Sequence, residues 1–206
     1  MLNFNSKFKN LILFMYNKKI QNLLQFSIED YKEYSEIEIE ITPGDCGKFI
    51  NLSRYIDDDD YKYFHVYMND KKVELKKIKN NIKEIETIGP CDNIKKIKII
   101  IDGKIQSFFS LFEECDAIIE INFKKFHRYN INNMCRMFFG CRHTKKIEFS
   151  NLKTIKVADM SFMFSGFSLL EELNLSNFDT RNVLNMEYMF HRCESLRKIN
   201  LSSFKC

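Results

Sequence analysis

Met160–Met186 reads MSFMFSGFSLLEELNLSNFDTRNVLNM, and this stretch holds two periods in succession. Met160, Met163, Phe164 and Phe167 fall at i, i+3, i+4 and i+7, the spacing of one apolar face over two turns of helix. From Leu170 the period changes to two. Leu173 and Leu175 share one face of a short strand, and Glu172, Asn174 and Ser176 share the other. Asp179-Thr180-Arg181-Asn182 turns the chain, and Val183 and Met186 bring it back to the core. The pattern predicts a strand, a turn and a short helix.

The same unit recurs at a step of 26 residues. Leu111-Phe112, Met137-Phe138, Met163-Phe164 and Met189-Phe190 mark the step. Ile121, Ile147, Leu173 and Ile199 form one column, and Phe123, Phe149, Leu175 and Leu201 another. Phe126, Leu152, Phe178 and Phe204 form a third. A fixed period of this size signals stacked units, each too small to bury its own apolar face. Cys91, Ile94, Ile97 and Ile99 repeat the pattern at an offset of 24, so the array is expected to start near residue 91. The expected fold is therefore α/β: a solenoid of about four to five units, with a parallel sheet and short helices.

The LxxLxLxx core resembles leucine-rich repeats. Leu173 to Thr180, followed by Val183, Met186, Met189-Phe190 and Cys193, resembles more closely the BspA-like class of bacterial surface protein, with 26-residue repeats. The resemblance covers about 91–206. It implies protein–protein interaction or adhesion, often at a cell surface, and it does not imply catalysis. The Asn/Cys ladder position of such repeats holds Phe126, Leu152, Phe178 and Phe204, so an apolar ladder is expected there.

The outward strand face is the expected binding face. Its candidate residues are Lys98, Glu120, Asn122, Lys124, Lys146, Glu148, Ser150, Glu172, Asn174, Ser176, Lys198, Asn200 and Ser202. Along Lys96, Glu120, Lys146, Glu172 and Lys198 the sign alternates at every step, so lateral neighbours are expected to pair and neutralise the face. What remains for a partner is a set of small hydrogen-bonding groups. A fifth strand near 198–202 would expose an unpaired edge, which predicts a longer array or self-association through that edge.

Ahead of the array, 1–34 reads as an N-terminal helix, with Phe8, Leu11, Ile12 and Met15 on one stripe. Residues 35–90 read as a β-rich cap. Glu-Ile-Glu-Ile-Glu-Ile over 36–41 is a strand with one wet face, 48–53 a possible second strand, and 63–68 with 73–75 a hairpin about Asn69-Asp70. Residues 78–88 suggest a short helix, and Gly89-Pro90 marks the join.

Several function classes are disfavoured. Net charge is only +4 over 206 residues, with no basic stripe for nucleic acid. No stretch is long enough to span a membrane, and the apolar run 11–16 is too short for a signal peptide. The expected location is the cytoplasm, with the cell surface as the alternative implied by the resemblance. Cys115, Cys141 and Cys193 share a column with Phe167, so they are expected to be buried thiols rather than bridges. Asp57–Asp60 lacks the spacing and glycine of a calcium loop. His65, His127, His143 and His191 lack metal-ligand spacing, and no nucleotide or hydrolase motif is present. The reading is a non-catalytic protein-interaction module without cofactor or metal.

Overall fold

Strict alternation of Ile37, Ile39 and Ile41 with Glu38 and Glu40 gives β1 (Ile37–Pro43) one apolar and one polar face. That strand becomes the middle of the molecule rather than part of a separate cap. The computed structural model describes residues 36–55, 60–75, 77–78, 81–82, 87–89, 92–126, 130–150 and 152–205. The expected helix over 1–34 lies outside them, as do Asp57–Asp59 and His127. Residues 36–206 form one compact unit.

In chain order β1 is followed by β2 (Gly47–Lys48), β3 (Phe64–Met68), β4 (Lys71–Val73), β5 (Lys77–Ile78), β6 (Asn81–Ile82) and β7 (Thr87–Ile88). Then come β8 (Ile97–Ile101), β9 (Ile118–Phe126), β10 (Lys146–Phe149), β11 (Glu172–Asn174) and β12 (Lys198–Asn200). Six strands form one mixed sheet in the order β10-β9-β1-β8-β3-β4, and β11 with β12 forms a separate pair. β1 runs antiparallel to both β8 and β9. Its register aligns Ile39 with Ile99 and with Phe123, and the same row continues to Val66 and Phe149. Ile39, Ile99, Phe123 and Val66 are fully buried. A slip of one residue would turn this whole row to solvent, so burial fixes the register.

The expected hairpin about Asn69-Asp70 forms, with its second strand at Lys71–Val73 rather than 73–75. Asn69 and Asp70 both sit in the left-handed region, at φ 46° and 65°, which suits a two-residue turn matched to strand twist. Residues 78–88 contain no helix among the described positions. β5 pairs with β6, and β7 pairs with β2. The expected strand over 48–53 is reduced to Gly47–Lys48, followed by a single tight helical turn at Ser53–Tyr55.

The α/β leucine-rich-repeat solenoid is corrected on two counts. First, the described residues contain no α-helix. The Met-Phe segments are runs of tight turns. Met137 donates its N–H to Met134 and Phe139 to Arg136, closing three-residue turns, while Arg136, Phe138 and Gly140 donate to Ser161, Met163 and Ser165 of the next unit. Ser110, Arg136, Phe162 and Tyr188 are left-handed, at φ 55–56°, as are Glu114, Gly140, Gly166 and Arg192 four residues on, and this interrupts any i→i−4 ladder twice per unit. Alternate N–H groups then bond sideways. Tight turns also bring residues three and four apart to one side, so Met160, Met163, Phe164 and Phe167 are buried as a helix would have buried them. Second, the strands do not form one parallel pile. β1 separates β8 from β9, and the pairing lapses between β10 and β11.

What survives is the step itself. β9 pairs in parallel with β10 at the 26-residue offset, and β11 does so with β12. On the turn side, parallel bridges join Ser107, Asn133, Asp159 and Asn185 in sequence. Inside, Phe112, Phe138, Phe164 and Phe190 stack with their planes nearly parallel and centroids 5.4, 5.7 and 5.8 Å apart. Ring stacking in this range contributes roughly 0.5–1.5 kcal/mol per pair beyond burial.

Candidate functional site

Strand alternation decides the candidate face: inward residues make the core, and the others are left on one outer surface. Lateral pairing aligns Tyr67, Lys98, Glu40, Asn122 and Glu148 across five strands. Asn174 and Asn200 align across the separate β11–β12 pair. Glu120 lies beside Lys146, and Glu172 beside Lys198. Lys124 lies further along β9, while Ser150, Ser176 and Ser202 follow the ends of β10, β11 and β12. All thirteen candidates therefore belong to strands or strand ends of the repeat region, divided between two sheets.

The charge pairing differs from the expected ladder. Lys198 does reach Glu172, at 3.1 Å. Lys96 does not meet Glu120, because β1 intervenes. It pairs with Glu40 at 2.7 Å, and Lys124 approaches the other oxygen of Glu40 at 3.4 Å. The hydrogen bond from Lys96 and then that from Lys124 hold the Glu40 carboxyl below its ordinary range, against the opposing effect of burial. Lys146 pairs along its own strand with Glu148 at 2.8 Å, and that contact raises the lysine's pKa. Glu148 also accepts a hydrogen bond from Asn122 Nδ2 at 2.6 Å, while Asn122 Oδ1 is buried without a hydrogen-bond partner. Lys98 lies 4.5 Å over the ring of Tyr67.

Glu40 and Tyr67 are the residues that sequence reading missed. The alternation over 36–41 placed Glu40 on a wet face, but no local signal says which strands β1 will join. A groove of about 1040 Å³ runs over the outer face of β10, β11 and β12, lined by Glu148, Asn174, Asn177 and Asn200 together with Phe149 and Leu173.

A second missed column lies on the turn side. Asn133, Asp159 and Asn185 each accept, through Oδ1, the N–H two residues on, and Ser107 does so through its hydroxyl. Small polar residues at the 26-residue step were the available signal. The hydrogen-bonded ladder expected to be absent also exists, one residue before the apolar column. Asn177 donates to the Phe149 carbonyl at 3.2 Å, and Ser203 donates to that of Leu175 at 3.0 Å. Phe126, Leu152 and Phe178 are fully buried beside it.

The cysteine column is apolar in character. Cys141 donates to the Phe112 carbonyl at 2.9 Å and Cys193 to that of Phe164 at 3.1 Å. Burial pushes the Cys141 thiol up to about 12 and raises that of Cys193. His143 places Nδ1 3.0 Å from the Asp116 carbonyl oxygen. Such thiols hold their protons and make poor nucleophiles. Among the described residues, no group of three or more His, Cys, Asp or Glu could hold a metal, and no helix is long and apolar enough to cross a membrane.

No curated protein and no solved structure matches the chain. Residues 106–206, the repeats whose turns and strands carry most of the candidate face, match the family described as "Mycoplasma protein of unknown function, DUF285".

Proposed function

We propose that the outer strand face is a non-catalytic docking surface for a protein partner. The observation that carries this reading is the aligned row of Lys98, Glu40, Asn122 and Glu148, continued in the second sheet by Asn174 and Asn200. The Lys96–Glu40, Lys146–Glu148 and Lys198–Glu172 pairs neutralise much of the face internally. A partner then meets amides and hydroxyls over a broad area, which suits another protein better than a polyanion. An intracellular setting is proposed. The BspA-like resemblance of Leu173–Cys193 supports cell-surface adhesion as the alternative.

The test is a comparative pull-down from the source cell with the wild-type chain and with Asn174→Lys/Asn200→Lys. Folding of the variant is checked by circular dichroism. Proteins retained at least tenfold less by the folded variant support the docking face. An unchanged set of retained proteins overturns it.

A second reading, self-association, has its own observation. Leu184 is 89% exposed and Tyr188 58%, and Ile199 is 37% exposed on β12, whose outer side pairs with no other described strand. Ile199→Lys should then reduce the mass measured by light scattering at high concentration. A wild-type mass that stays monomeric at every concentration rules this reading out.

A further inference from the structure

Among the described residues, the repeats are zipped on the turn side, while on the strand side no ladder joins β10 to β11. On the turn side, Met134, Arg136, Phe138 and Gly140 donate to Asp159, Ser161, Met163 and Ser165, at 2.9, 2.9, 3.0 and 2.8 Å. The core behind is continuous, with Phe138 5.7 Å from Phe164 and Phe149 5.1 Å from Phe178. On the strand side of those same units no ladder joins β10 to β11. The lapse is therefore local to the strands, and the turn ladder behind it can serve as a hinge.

Backbone alternation says what faces the opening. Ser150 donates its N–H to Phe123 on the β9 side, so Phe149 directs its N–H the other way, into the split. Leu175 donates to Asn200 of β12, so Asn174 directs its N–H back toward β10. By the same alternation Ile147 and Glu172 also turn their main-chain groups into the opening. Two strand edges thus face each other without forming a ladder, beneath a groove of about 1040 Å³ that is lined by β10, β11 and β12. Strand edges of this kind are templates for another extended backbone.

The walls set the rest of the chemistry. Lys146 is paired with Glu148 and Lys198 with Glu172, so no unbalanced charge is presented for a charged ligand. Asn174 and Asn200 supply side-chain amides to the rim, and Leu169, 43% exposed, supplies an apolar spot at one end.

We propose that the split between β10 and β11 is a strand-acceptor site, which takes an extended peptide segment of low net charge from a protein partner. This rests on the docking-face reading and specifies how that face engages. The segment hydrogen-bonds through its main chain to the Ile147–Phe149 edge, the Glu172–Asn174 edge or both. Full insertion needs about 9.6 Å between β10 and β11, twice the spacing of paired strands, and the turn ladder allows that opening by hinging.

The probe is a random heptapeptide phage library panned against the whole chain. The best binder is synthesised plain and with N-methyl groups at alternate residues. Methylation in one phase should weaken binding at least tenfold and in the other phase leave it unchanged, because only alternate N–H groups of a strand face each neighbour. Glu148→Cys/Asn174→Cys, made in a Cys46→Ser background, tethers the split shut. The monomeric oxidised form should bind at least tenfold more weakly than the same protein after reduction. Amide exchange at Ile147, Phe149, Glu172 and Asn174 should slow when the peptide is bound. A peptide that binds regardless of methylation phase and tether, yet is lost with Asn174→Lys/Asn200→Lys, overturns strand addition while keeping the docking face. Failure to recover any binder, or exchange at these four amides already slow in the free protein, overturns the strand-acceptor site.

Discussion

Glu40 shows how one residue changes the meaning of a whole face. Read locally it is a wet position on an alternating strand. In the fold it lies between two strands of the repeat region and accepts from both Lys96 and Lys124. Its carboxyl is held below the ordinary value, so it stabilises the folded state at neutral pH. That contribution is fully present above the unfolded pKa and is lost as pH falls through the lower folded value. Glu40→Gln should therefore melt earlier than wild type at pH 7, by up to about 1 kcal/mol because the pair is part-exposed. The difference should start to shrink as pH falls past the ordinary glutamate value and close below the lower folded one. A gap between the two melting curves that widens in acid would contradict this sign. The expectation of a self-neutralising face was thus right in kind for Glu172–Lys198. It named the wrong partner for Lys96, because a carboxylate distant in sequence arrived first.

At the scale of elements, the instructive segment is Met160–Phe167. Its apolar spacing is that of a helix, yet the chain turns three residues at a time and hands alternate N–H groups to the next unit. Left-handed residues make this possible, and they recur at the 26-residue step. Gly166, at φ 85°, is one of them, and a Cβ there would lie 3.3 Å from Gly140 Cα in the preceding unit. Gly166→Ala should cost about 1–2 kcal/mol from the backbone conformation alone, with the contact against rigid main chain added. Gly44→Ala, where φ is not positive and the nearest atom is the Ile119 side chain at 3.4 Å, should stay within about 0.5 kcal/mol. Denaturant melts of the two variants compare these costs directly. Equal losses would mean that the left-handed column is not under constraint. The spacing of Met160, Met163, Phe164 and Phe167 could not separate a helix from this coil, because both bring the same side chains inward. The polar column Ser107, Asn133, Asp159 and Asn185 could not separate them either, since it falls just before the expected helix, where such residues cap helices as readily as they form turns.

At the scale of the whole molecule, the 36–41 strand and the repeats are one object. The β-rich region does not simply cap an array. It supplies β1 as the strand between β8 and β9, and with it part of the candidate face. The sequence by itself determined the 26-residue step, the inward columns and the outward polar positions, because side-chain alternation and residue spacing are local properties of the chain. The hairpin about Asn69-Asp70 was legible for the same reason. Only the tertiary structure decided that turns replace helices, that an antiparallel strand separates the first two repeat strands, and that the sheet parts between β10 and β11. Those outcomes depend on which main-chain groups find one another across long separations. Every strand edge offers the same donors and acceptors, so nothing in the side-chain pattern of either edge names its neighbour.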